Sequence, residues 1–239
     1  MRILAIDTAT ESCSAALLID GRVHTRERLL ERGHAEHILP MIDELLGEGA
    51  VALGELSAVA FGRGPGAFTG VRLAASVTQG LAYGAGIPVV PVSDLRALAE
   101  RVLQDDPVLD RVLVCTDARM REVYWAWFER GPDGHAGGIG EEQVGRPAAV
   151  VFPQECGQAT AQVPRFAAAG SAFAAYPQLR ITVASQAALV LDRLRPHARE
   201  VAILAATEVA AGRVLPPEQA LPRYLRDDVT QTPQAQSLN

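Results

Sequence analysis

The sequence predicts an α/β protein made of two related lobes. Residues 3–18, ILAIDTATESCSAALL, and residues 113–128, LVCTDARMREVYWAWF, share one plan. Each is a short apolar strand ending in an aspartate (Asp7, Asp117), then a polar connector and a second β-prone run. The offset of 110 residues suggests a duplicated unit. Across the first 106 residues, apolar strand-like runs alternate with longer helical ones, as in an α/β layer structure. The expected lobes are residues 1–106 and 107–228, followed by a polar tail, 229–239, with too little apolar surface to pack.

After the first two strands, Asp20-Gly21 supplies a tight turn into a third, Arg22 to Leu30. A helix from Ala35 to Leu46 closes at Gly47. Leu56 to Phe61 reads as a strand, Ala67 to Tyr83 as a helix, and Ile87 to Val92 as a strand. Ser93 is placed to cap a helix that runs to Leu103. In the second half a hairpin spans 111–128, and the glycine-rich stretch 129–147 reads as loop with a short strand. Val163 to Ala169 and Ile181 to Val183 are expected strands. Ser185 is the expected cap of a helix through Leu194, and Glu200 to Ala211 is the last helix.

Composition removes several functions. All 22 basic residues among the 239 are arginine, an absence of lysine that coding bias explains. Whatever its cause, it excludes a P-loop lysine, a Schiff base and protein-kinase chemistry. Net charge is -6, with 9 arginines against 14 acids up to Asp106 and 13 against 14 beyond it. Neither half offers the basic surface with which a protein grips nucleic acid by itself. Cys13, Cys115 and Cys156 are widely spaced and read as core thiols of a reducing compartment. With no signal peptide evident and no run of 18 apolar residues, the expected location is cytoplasmic, away from membranes.

The most informative stretch is Gly62-Arg63-Gly64-Pro65-Gly66-Ala67-Phe68-Thr69-Gly70-Val71-Arg72, between an apolar strand and a helix. Its glycines allow a sharp turn and bring backbone N–H groups to a helix N-terminus, either for packing or for an anion. This stretch closely resembles the GxGPGxFTGxR signature of the TsaB (YeaZ) family. Asp7-Thr8-Ala9-Thr10 resembles that family's opening, and His34 to Ile42 resembles its HSExLLPxI helix start. Asp117-Ala118-Arg119 with Glu122-Val123-Tyr124 resembles its DARxxEVY segment, and Pro222 to Arg226 its closing PxYLR. The resemblance implies an actin-like/sugar-kinase (ASKHA) fold of two duplicated lobes. It also implies a subunit that pairs with TsaD, is joined by the ATPase TsaE, and is required for threonylcarbamoyl transfer. The target is N6 of adenosine 37 in tRNAs reading codons that begin with A. Metal, nucleotide and chemistry belong to TsaD on this reading, so this chain is expected to be non-catalytic, without a cofactor, and to meet tRNA only through the complex.

Other constellations are weaker. His34 and His37 flank Glu36, but neither the His-Glu-x-x-His spacing nor a TsaD-type pair of histidines four apart occurs. A stand-alone actin-like kinase of a small metabolite is the alternative function. It would use Asp7, Thr8, Gly64, Gly66 and Arg72 on phosphate and Gly170-Ser171 on adenosine. No G-x-S-x-G elbow supports a hydrolase. For the partner surface, Ile38, Leu39, Met41, Ile42, Leu45 and Leu46 cover an arc of about 160° on one helix. Gly70, Ala74 and other small residues line the next helix. With His34 these form the expected interface, for TsaD or for a second copy in its absence. On that expectation, a charge at Met41 or Leu45 disrupts pairing and leaves the monomer folded.

Overall fold

The computed structural model describes residues 1–152 and 166–226. Expectations for Cys156, for the strand start at Val163 and for the tail lie outside them. The first sheet begins with β1 (Arg2–Asp7), antiparallel to β2 (Ser12–Ile19) and thence to β3 (Arg22–Leu29). Asp20 and Gly21 take the left-handed φ values, 47° and 83°, that a two-residue hairpin needs. β4 (Ala58–Gly62) and β5 (Val89–Val92) add in parallel, giving the order β3-β2-β1-β4-β5.

Alternation along β1 decides what covers each face. Leu4 and Ile6 point to α1 (His34–Gly49) and α2 (Phe68–Ala85), in a core with Leu17, Ile38, Leu45 and Phe61. Ile3 and Ala5 point the other way, against Val201 and Leu204 of α6 (Ala198–Ala210). A strand buried on both faces reads as an unbroken apolar run.

The second sheet repeats the plan. β6 (Arg111–Arg119), β7 (Glu122–Arg130) and β8 (Ala136–Gly145) form an antiparallel meander, and β9 (Phe166–Ala169) and β10 (Leu189–Leu191) add in parallel beside β6. The order β10-β9-β6-β7-β8 is that of the first sheet read backwards. α3 (Asp94–Asp105), capped by Ser93 Oγ accepting from Arg96 N at 3.2 Å, covers one face. Short α4 (Ala172–Ala175) and α5 (Pro177–Ala184) cover the other, where Phe173 and Leu179 pack on Trp125 and Phe166.

The expected boundary after Asp106 does not separate the two cores. α3 follows the last strand of the first sheet, yet Leu95, Leu98 and Val102 pack on Val112, Val114 and Phe128 of the second. α6 follows the last strand of the second sheet and packs on the first. Each lobe thus takes its last helix from the other's stretch of chain.

Three local expectations are corrected. The glycine-rich stretch contains a ten-residue edge strand, 136–145, because pairing with β7 outweighs low intrinsic propensity. Ile181 to Val183 is helical, because Pro177 opens a helix and Leu179 and Val183, four apart, both reach the core. Ser185 therefore ends a helix, and the expected helix beyond it holds β10.

Arg96 ties these parts together, with Nε donating to the Ala136 carbonyl at 2.7 Å and Nη1 to Glu208 at 3.0 Å. Arg96→Ala takes this donor from the Ala136 carbonyl and leaves Glu208 with Arg213 alone. It is expected to cost about 1–3 kcal/mol in equilibrium denaturation.

Candidate functional site

The glycine turn is shaped by what lies beneath it. From the end of β4 the chain passes through a cis Gly64–Pro65 bond into α2. A Cβ at Gly66 would lie 2.6 Å from the Ala9 carbonyl oxygen, and one at Gly70 would lie 2.0 Å from that of Thr8. The first turn of α2 therefore rests directly on the backbone of the β1–β2 turn. Ala67 N donates to Ala9 O at 2.7 Å, and Thr8 Oγ1 donates to Gly70 O at 2.7 Å.

The residues expected on a phosphate are used in this contact or near it. Asp7 is 0% exposed and Thr8 1%, Gly64 is buried, and Gly66 is half-buried against Ala9. Arg72 is exposed, but Nε donates to the Tyr224 hydroxyl at 2.7 Å. In the second lobe Gly170 sits where a Cβ would lie 2.2 Å from Cys115 O, and Ser171 Oγ accepts from Asp117 N at 3.0 Å. Asp7, Thr8, Gly64 and Gly170 are thus buried in packing, whereas Arg72 stays exposed.

Beneath the turn lies a buried pair of carboxyl groups, Asp7 and Asp94, that sequence reasoning did not bring together. Asp7 Oδ1 accepts from Ala9 N at 2.8 Å, and Asp94 Oδ2 accepts from Gly64 N. A Cβ at Gly62 would lie 2.5 Å from Asp94 Oδ1 and 3.3 Å from Asp7 Cγ, so the glycine admits both groups. The remaining oxygens, Asp7 Oδ2 and Asp94 Oδ1, have no hydrogen-bond partner among the described residues, an arrangement that favours keeping a proton on the pair. Burial pushes Asp7 up to about 6, and burial with the adjacent Asp7 charge holds Asp94 well above the usual carboxylate range. Asp117 repeats the Asp7 turn, accepting from Arg119 N at 2.9 Å, but its Oδ1 also takes the Tyr176 hydroxyl.

The closing segment crosses this region. Arg223 N donates to Arg63 O at 2.8 Å, and Tyr224 packs on Phe68 with ring centroids 5.9 Å apart. Arg226 reaches Glu122 and the Ala118 carbonyl in the second lobe. Arg63 adds a fork onto Glu142 of β8 at 3.1–3.2 Å. Motifs about 150 residues apart are thereby assembled into one surface, with Phe68 and Tyr224 left half-exposed.

The rival constellations do not form sites. His34 Nε2 donates to Thr10 O at 2.9 Å, and no group of three or more metal-ligating side chains occurs among the described residues. Ser12 Oγ donates to Glu27 and Ser14 Oγ accepts from Ala198 N, while His197 caps α6 through Nδ1 accepting from Arg199 N, so neither of these two serines has a histidine base among the described residues. Burial pushes the Cys13 thiol up to about 11 and raises Cys115 as well, which disfavours the nucleophilic thiolate of each.

On the expected partner helices, Ile38, Met41, Ile42 and Leu45 of α1 and Gly70 and Ala74 of α2 are buried inside the first lobe. The wide apolar arc of α1 is consumed by its own sheet and by α2, so a charge at Met41 or Leu45 would enter the core. Of the expected set, Leu39 (50% exposed) and part of His34 face outward, together with Phe68 and Tyr83 of α2.

Two lobes of identical strand order, joined at a glycine turn and an aspartate-ended first strand, define an actin-like protein. The family model described as TsaD, tRNA N6-adenosine threonylcarbamoyltransferase, matches residues 25–234. The Escherichia coli tRNA threonylcarbamoyladenosine biosynthesis protein TsaB is 39% identical over 232 residues, 96% of either chain. A Pseudomonas aeruginosa protein described as similar to the peptidase YeaZ superposes with a TM-score of 0.84 at 41% identity, covering 94% of this chain and 99% of that one. YeaZ from the same organism superposes with a TM-score of 0.81 at 39% identity, with the same coverage. The chain belongs to the TsaB family.

Two outcomes follow for the turn. Gly70→Ala forces the Thr8 backbone away and is expected to cost more than about 3 kcal/mol by urea denaturation. Asp94→Asn keeps an acceptor for Gly64 N and a donor for Asp7. The raised folded-state pKa values stabilise the wild type most below about pH 4, an advantage lost as pH rises through about 6 and beyond. The variant should therefore melt higher than wild type at pH 8, by roughly 3 °C, and lose that lead at pH 4.5. A difference independent of pH would contradict a proton kept on the pair.

Proposed function

We propose that this chain is a non-catalytic dimerisation and activating subunit. It pairs with a TsaD-type subunit, joined by a TsaE-type ATPase, for threonylcarbamoyl transfer to N6 of adenosine 37 in tRNA. The family assignment supports the pathway, and one observation about α2 supports the pairing. Gly80 and Gly84 lie on the exposed side of this helix, take no left-handed φ, and a Cβ on either would meet nothing within 4 Å. A glycine inside a helix costs roughly 1 kcal/mol relative to alanine, and the monomer gains nothing in return. A gain arises if a second helix lies close along this face, with Leu73, Val77 and Tyr83 beside the glycines. On this reading Leu39, on the outer side of α1, extends the same surface. A second copy can occupy it when the TsaD-type subunit is missing, as an isologous patch permits. On this reading the protein works in the cytoplasm and meets tRNA only within the assembly. No helix among the described residues is long and apolar enough to cross a membrane.

The test is reconstitution of the transfer with purified TsaD-type and TsaE-type subunits. Omitting this chain should lower the rate at least tenfold, and a rate unchanged by omission ends the reading. Gly80→Arg should abolish pairing in sedimentation velocity while leaving the melting temperature of the monomer near wild type, because the position opens to solvent.

A further inference from the structure

Resting on the pairing surface proposed above, we propose that Arg72 is an anchor of that surface that takes a carboxylate from the acidic α1 of a second copy of this chain, with Tyr224 as its positioning residue. The Arg72 guanidinium lies 3.4 Å from the centroid of the Phe68 ring and 5.4 Å from that of Tyr224. Its Nε donates to the Tyr224 hydroxyl at 2.7 Å. Stacking on one ring and a hydrogen bond donated to the hydroxyl of the other fix the plane of the fork and leave both Nη groups without a hydrogen-bond partner among the described residues. No carboxylate among those residues pairs with it. A guanidinium held in this way is prepared for a planar, two-oxygen acceptor.

The surroundings favour a protein partner. Phe68 is 49% exposed and Tyr224 46%, an aromatic pair around an arginine at the start of the helix that carries Gly80 and Gly84. Arginine and tyrosine dominate the residues that carry interface energy. Charge complementarity names the occupant. Arg72 is the one charged residue of α2, whereas the charged residues of α1 are Glu36, Asp43, Glu44 and Glu48, with His34 and His37 beside them. Arg26 holds Glu44 and Glu48. Glu36 and Asp43 are exposed. A second copy that crosses its α1 over α2 would bring Glu36 or Asp43 to Arg72.

The experiment measures the dissociation constant of the dimer formed by the chain alone, by sedimentation equilibrium, with the melting temperature of each variant as a control. Arg72→Lys keeps the charge and loses the fork, and should weaken pairing about tenfold or more. Tyr224→Phe removes only the hydroxyl. It should weaken pairing about threefold in the wild-type background and leave Arg72→Lys no weaker, because it acts through Arg72. If both variants pair as wild type while Gly80→Arg does not, the anchor is refuted and the pairing surface stands. If Gly80→Arg also pairs as wild type, the surface fails and the anchor with it. If Arg72→Lys leaves pairing intact but weakens binding of unmodified tRNA to the assembled complex, the arginine is a phosphate contact and the proposal is overturned.

Discussion

The first turn of α2 lies on the bare backbone of the β1–β2 turn, closer than any side chain would allow. Gly66 and Gly70 make that approach possible, and much of the first lobe is arranged by it. It sets where α2 sits on the sheet and hence which side of the helix faces outward. It closes the space over Asp7, so a carboxylate at a strand end becomes a buried group beside a second acid, Asp94, and both hold their protons more tightly. It also brings the start of α2 under the closing segment, where Phe68, Arg72 and Tyr224 meet. In an actin-like scaffold the space between such a turn and a strand-end aspartate is where phosphate chemistry would be expected. Here the space is filled with backbone.

The duplication runs deeper than the repeated first hairpin suggested. Asp7 and Asp117 each accept a backbone N–H two residues on, and Gly62 at the end of β4 and Gly170 just after β9 each stand where a side chain would collide. The differences are equally telling. Asp117 is bound by the Tyr176 hydroxyl and an exposed Arg119, whereas Asp7 has only a second acid. One plan has been filled with solvated polar contacts in one lobe and with burial in the other.

How much of this was legible in the sequence depended on whether the deciding contact was local. The Asp20-Gly21 hairpin, the Ser93 cap and the apolar period of α1 are written within a few residues and were read correctly. The strand at 136–145 and the helix at 177–184 depend on sheet pairing and on which side chains reach a distant core, and local propensity misled there. The candidate site divides in the same way. The glycines announced a tight turn, but whether they served an anion or a neighbouring backbone was decided by Thr8 and Ala9, some 60 residues away. The breadth of the α1 arc was real, but its own sheet and α2 consumed it, and the exposed pair Gly80 and Gly84 carried the more useful signal. Asp94 was hidden because it follows a good cap and reads as an ordinary helix start.

The exchange of α3 and α6 bears on how the chain comes into being. The first sheet presents Ile3, Ala5, Val90 and Val92 to a helix that begins at Ala198, so that face stays uncovered until most of the polypeptide has been made. α3 in turn waits for strands that begin at Arg111. A growing chain therefore holds two half-finished layers at once, and neither lobe can be cut out as a contiguous fragment with its core intact.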